Sequence, residues 1–149
     1  AERIANALVG CGEIAKKLEN QPLVSVHRDF YQDQVLEIYG KPAHIALLDL
    51  DLLCLGYAAL DAGNYLAHIK ELALRHYVDV NALSAHEAAF KKEFLTQSEI
   101  SEEIVEIYTT LSLARHIYLS TQFEARQQTT ETLLKLCEAR LASHLSINF

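Results

Sequence analysis

Three side chains in the first third of the chain could work together chemically: Asp29, Gln34 and Asp49. Asp29 lies in the run His27-Arg28-Asp29-Phe30-Tyr31-Gln32-Asp33-Gln34, and Asp49 follows the apolar stretch Ala46-Leu47-Leu48 and opens Asp49-Leu50-Asp51. A carboxylate on a loop can accept the proton of an attacking hydroxyl. A second carboxylate and an amide oxygen can hold Mg2+, which offsets charge on phosphates; the amide does so without adding a further anion. Phosphoryl transfer needs this set of groups. Asp29 by itself would be read as a turn cap, so the case depends on whether the chain brings the three together.

A hairpin would do so. Val35-Leu36-Glu37-Ile38-Tyr39 and His44 to Leu48 read as strands, with Gly40-Lys41-Pro42 supplying turn chemistry between them. With the turn centred near Lys41, antiparallel partners sum to about 82 in residue number. Asp49 then lies across from Asp33 or Gln34, and Asp29, Gln34 and Asp49 converge on one small volume. Leu23-Val24-Ser25-Val26 is a further short β-prone run, and His27 to Asp33 is a loop.

The rest of the chain reads as helix. Residues 2–19 carry Ile4, Leu8, Ile14, Ala15 and Leu18 as a stripe, weakened by Gly10 and Gly12 and ended by Gln21-Pro22. From Ala62 on, Leu66, Ile69, Leu72, Ala73 and His76 recur at helical steps. Ser84-Ala85-His86-Glu87 has the form of a capping box for a helix to about Thr96. Ser101-Glu102-Glu103 opens another helix with Ile104, Ile107, Leu111, Ala114 and Ile117 on one face, and a last one runs from about Gln122 to His144. The expected fold is mainly α with one small antiparallel β-ribbon.

The motifs in order resemble a known family. His27-Arg28-Asp29-Phe30-Tyr31 through Gln34-Val35-Leu36 resembles the catalytic loop of the aminoglycoside phosphotransferase and choline kinase-like enzymes. Ala46 to Asp51 is similar to their metal-binding segment. Gly56 to Ala67 resembles the next conserved stretch, in which an aspartate opens a helix behind the loop. The likeness covers roughly residues 20–80. It implies the C-terminal lobe of a protein-kinase-like fold and ATP- and Mg2+-dependent transfer of a phosphoryl group to a small-molecule hydroxyl. Asp29 matches the catalytic base, Gln34 the amide metal ligand in place of the more usual Asn, and Asp49 the carboxylate metal ligand. Asp61 matches the structural acid that ties the loop to the helices. Asp51 falls where the family varies and would assist the metal or hold water; His27 would pack the loop and Arg28 brace it.

The family's N-terminal lobe, with its nucleotide-covering loop and phosphate-contacting lysine, has no counterpart here. Only 26 residues precede His27, and they read mostly as one helix. Residues 1–149 are therefore expected to form a single domain, the catalytic-loop lobe of a longer enzyme, with little activity alone and with exposed surface that favours a homodimer. The alternative is a non-catalytic helical interaction module that retains kinase-like motifs.

Bulk composition agrees with one helical domain: 149 residues, half of them hydrophobic, with 5 glycines and 2 prolines. A net charge of −7 argues against a nucleic-acid partner or an anionic membrane surface, and leans weakly toward a cationic acceptor. Three cysteines, Cys11, Cys54 and Cys137, with no CxxC spacing, fit a reducing, cytoplasmic setting. Gly10-Cys11-Gly12-Glu13 resembles part of a dinucleotide fingerprint, but that reading requires a strand at residues 5–9. His68 and His76, two helical turns apart, read as ordinary half-buried or surface histidines, and Glu102, Glu103 and Glu106 as a solvated face.

Overall fold

The computed structural model describes residues 2–18, 21–39 and 44–146. Its elements in chain order are α1 (Glu2–Ala15), β1 (Val24–Val26), β2 (Val35–Glu37), β3 (Ile45–Leu47), β4 (Cys54–Gly56), α2 (Ala58–Tyr77), α3 (Ser84–Ser98), α4 (Glu102–Gln122) and α5 (Thr130–Leu145). The architecture is mainly helical with small antiparallel sheets.

The hydrophobic pattern of each helix dictates what it covers. On α1 the buried positions are Ala7, Gly10, Cys11 and Ile14, a single stripe at helical spacing. That stripe lies against α5, where a Cβ on Gly10 would come within 3.2 Å of Leu141. Ile14, Leu113, Leu133, Cys137 and Leu141 are fully buried between α1, α4 and α5. The central helix is α2, apolar on most of its circumference between Ala59 and Leu74. It crosses α4 so closely that a Cβ on Gly63 would stand 2.5 Å from the Tyr108 Cβ and 2.7 Å from the Thr109 nitrogen. Ala59, Ala62 and Leu66 of α2 pack with Ile104 and Val105 of α4, and Phe90 and Phe94 of α3 close that second cluster.

The hairpin register read from the turn is the one observed: Val35 pairs with Leu47, Leu36 with Ala46 and Glu37 with Ile45. The turn itself, Gly40-Lys41-Pro42, lies outside the described residues. The expectation of one ribbon needs correction, since the described residues form two separate two-stranded sheets. The second joins β1 to β4 in the register Val24 with Gly56 and Val26 with Cys54. Sequence reading missed β4 because it is three residues long and ends in glycine, the poorest strand former for packing. Here the missing side chain is what the pairing requires, as a Cβ on Gly56 would lie 2.7 Å from Val26.

Other boundaries shift for local reasons. α1 is one continuous helix through both glycines, and it ends at Ala15 in tightened turns donated by Lys16, Lys17 and Leu18. A helix over residues 5–9 removes the dinucleotide reading. The capping box at Ser84 does not form: no side chain caps α3, and Glu87 instead pairs with Lys70 of α2 at 2.5 Å in a half-buried setting. Ser101 does cap α4, its Oγ accepting from the Ile104 N–H. A turn of 3-10 helix, Glu124–Thr129, occupies the start of the expected last helix. Glu106 is not a freely solvated acid, since it pairs with Lys91 at 2.9 Å and with Arg140.

The Gly63 crossing yields a test. Gly63→Ala is expected to lower stability by about 1–3 kcal/mol through overpacking against α4 backbone, read as a lower denaturation midpoint with an unchanged slope.

Candidate functional site

The loop from His27 to Gln34 is held from below by one face of α2. Asp61 in the first turn accepts two successive backbone N–H groups, from His27 to Oδ2 at 2.6 Å and from Arg28 to Oδ1 at 2.8 Å. Asn64, three residues on, donates its amide to the Phe30 carbonyl at 3.1 Å. Tyr65 and His68 follow on the same face. Tyr65 stacks on Phe30 with ring centroids 5.3 Å apart, and His68 stacks on Tyr31 at 4.6 Å. Every residue from His27 to Tyr31 except Asp29 thus has a contact to α2 or to a ring beside it, and Asp29 is left projecting between fixed neighbours.

The second segment is tied to the first by His27. Its imidazole is buried, and Nε2 lies 2.7 Å from the Leu48 carbonyl. A carbonyl only accepts, so Nε2 is the donor. Leu48 in turn donates its N–H to the Gln34 carbonyl at 2.9 Å, continuing the β2–β3 ladder. Asp49 comes next, so the hairpin register carries it to the end of the ladder, one residue past Leu48 and across from Asp33. Asp49 and Arg28 both adopt left-handed backbone, with φ of 52° and 70°. Non-glycine residues hold such conformations at a cost that the surrounding bonds must meet. Here they fall at the residue before Asp29 and at Asp49 itself.

Charge around the loop acts on Tyr31. The Tyr31 hydroxyl is held above its ordinary pKa, first by burial and then by the carboxylates of Asp29, Asp33 and Asp49. Arg126 acts in the opposite sense. Gln34 is buried and Asp49 is exposed. Asp51 is exposed on the 3-10 turn Leu50–Leu52. Asp29 has a cationic neighbour, Arg115 of α4, whose Nη1 is 3.7 Å from Oδ1.

Behind the loop lies a pair of histidines whose role the sequence did not disclose. His116 of α4 meets His68 edge-on, with ring centroids 4.4 Å apart. Both ring nitrogens of His116 and the Nε2 of His68 have no hydrogen-bond partner among the described residues. Burial lowers the His68 pKa to about 3, with His116, Arg115, Arg126 and Arg75 adding to the effect. His116 is lowered to about 4 by burial and the same three arginines. Glu71, also buried here, lies 3.4 Å from Arg75 and 3.9 Å from Arg126. The pair is therefore a neutral wedge under Tyr31. His86 hydrogen-bonds the Tyr65 hydroxyl at 2.8 Å, and His76 is exposed.

Asn64, Tyr65 and His68 were legible in principle, since they stand three, four and seven residues beyond Asp61 on one helix. Arg115 had no such signal, because 86 residues separate it from Asp29. Comparison with protein-family models, with curated proteins and with solved structures finds no match to this chain.

Two outcomes follow. Asp61→Ala leaves two amides without an acceptor and is expected to cost about 2–4 kcal/mol; exchange of the His27 and Arg28 amides should accelerate at least tenfold. For the histidines, the folded pKa values lie below the unfolded value near 6.5, so in that window the unfolded chain binds more protons. Stability is then full above pH 6.5 and falls as pH drops toward 4, by on the order of 3 kcal/mol per histidine. His116→Leu should flatten this acid loss in melting curves taken at pH 7 and pH 5; an unchanged slope would remove the histidine pair as its source.

Proposed function

We propose that the chain is the catalytic-loop lobe of an ATP- and Mg2+-dependent phosphotransferase acting on a small-molecule hydroxyl. The observation that carries the reading is the grip of Asp61 on the His27 and Arg28 amides, which holds the Asp29 loop against α2 while the β2–β3 register runs the chain on into Asp49. Asp29 orients the acceptor hydroxyl and takes its proton. Gln34 and Asp49 hold Mg2+, which when bound neutralises phosphate charge, and Asp51 stands ready to hold a water beside it. His27 keeps the base loop and the metal segment in fixed relation through Leu48.

The apolar surface of the two sheets supports the view that this lobe belongs to a larger enzyme. Leu23, Leu36, Ile45, Leu47, Leu53 and Leu55 are all exposed, and all lie between residues 23 and 55. Surface of this kind asks for cover. A nucleotide-binding lobe in the parent chain would supply it and would hold ATP over Asp49; in its absence a second copy of this lobe would take its place. Among the described residues no helix is long and apolar enough to cross a membrane. The free, buried thiols of Cys11 and Cys137 fit a reducing cytoplasm.

In the parent enzyme, Asp29→Asn and Asp49→Ala are each expected to reduce Mg2+-dependent phosphotransfer at least a hundredfold, with Asp49→Ala also weakening Mg-ATP binding in calorimetry. Undiminished transfer by either variant would remove the assignment. Failure of the wild-type parent to bind Mg-ATP would favour a non-catalytic interaction module.

A further inference from the structure

Beside Asp29 a cleft of about 230 Å³ opens between the base loop, α2 and α4, walled by Arg28, Asn64, Tyr108, Ser112 and Arg115 among others. Its position follows from the close crossing at Gly63, which brings the 108, 112 and 115 positions of α4, one helix face, against the start of α2. The charge in its wall is of one sign. Arg28 and Arg115 are the charged residues of its lining, Leu60 and Leu111 add apolar surface, and no acidic residue lines it. Arg115 is about half exposed at 54%, and its contact to Asp29 uses one nitrogen at 3.7 Å, so most of its donor fork remains available. Among the described residues Arg28 has no ion-pair partner, and its backbone is pinned by Asp61. Asn64 and Ser112 add uncharged polar groups, and Tyr108 an aromatic wall.

We infer that the acceptor alcohol bears an anionic group, a carboxylate or a phosphate, which Arg115 and Arg28 hold while its hydroxyl meets Asp29. This rests on the phosphotransferase reading above and narrows it. A guanidinium pair matches the planar or tetrahedral oxygens of such a group and repels an ammonium. The cleft is smaller than the roughly 300 Å³ at which pockets for drug-sized ligands begin, so a short hydroxy acid or phosphorylated alcohol suits it better than a polycationic sugar. In the step itself, the acceptor oxygen bonds to the γ-phosphorus of ATP as the bond to the β–γ bridging oxygen breaks. ADP leaves with that electron pair, and the hydroxyl proton passes to the Asp29 carboxylate.

The test measures binding of glycerate, glycerol 3-phosphate, glycerol and choline to the full-length protein by calorimetry, in wild type, Arg115→Ala and Arg115→Lys. Melting temperature is checked alongside. The expected result is that glycerate or glycerol 3-phosphate binds more tightly than glycerol or choline. Arg115→Ala should weaken that anion at least tenfold, and Arg115→Lys should recover part of the loss. Which anion binds tells carboxylate from phosphate. Tighter binding of choline, no binding of either anion, or anion binding indifferent to Arg115→Ala overturns the inference. Arg115-dependent anion binding without Mg-ATP-dependent phosphorylation of that anion upholds the anion site and retires the phosphotransfer reading. Phosphorylation of choline at wild-type rate in Arg115→Ala does the reverse.

Discussion

The arrangement of the loop depends on one carboxylate, that of Asp61, accepting two consecutive backbone amides. Successive N–H groups of an extended chain point in opposite directions, so a single acceptor can satisfy both only if the chain turns sharply between them. Arg28 supplies that turn with its left-handed backbone. The bend costs energy that a loop alone would relax, and two charge-assisted hydrogen bonds from a helix terminus offset it. Once His27 and Arg28 are fixed, the direction in which Asp29 leaves the loop is fixed as well. Asn64, Tyr65 and His68 then extend the same helix face beneath Phe30 and Tyr31, and α4 supports that face from behind through His116 and the glycine crossing.

What the sequence disclosed and what it withheld divide along the range of the interactions involved. The β2–β3 register was readable because it depends on a turn only a few residues long, and a turn fixes its flanks. Helices α2, α4 and α5 were readable in kind because a buried stripe at 3.6-residue spacing leaves its mark on composition. Strand β4 was not, since what makes Cys54-Leu55-Gly56 a strand is Val26, nearly thirty residues earlier, packing where a glycine leaves room. The unformed cap at Ser84 has the same origin: local chemistry favoured a capping box, and Lys70 from another helix took Glu87 instead. The candidate site itself follows the rule. Asp29, Gln34, Asp49 and Asp61 were visible as an ordered string, whereas Arg115 and His116, contributed by a helix more than eighty residues along, carried no local signature.

Net charge was a poor guide to local field. An overall balance of −7 leans toward cationic partners, yet the wall beside Asp29 holds two arginines and no acid. Much of the acidic excess is elsewhere: Glu131 and Glu138 bind Arg3, while Glu102 and Glu106 bind Lys91. A ligand within a cleft responds to the few charges inside a Debye length of it, and the sum over the surface decides solubility and long-range approach.

The left-handed backbone at Asp49 has a mechanical meaning of its own. The base loop is clamped to α2 at several points, while the segment carrying Asp49 runs between two short ladders, β3 on β2 before it and β4 on β1 after it, with the His27 imidazole and the Leu48 N–H adding one bond each. The two halves of the site therefore differ in stiffness. One is part of the helical body, and the other is a short span strung between the two ribbons, with an uncommon backbone conformation at Asp49. A change in the separation of Asp29 and Asp49 is then a flexing of that span, and a molecule that bridges the two side chains would act as a strut across it.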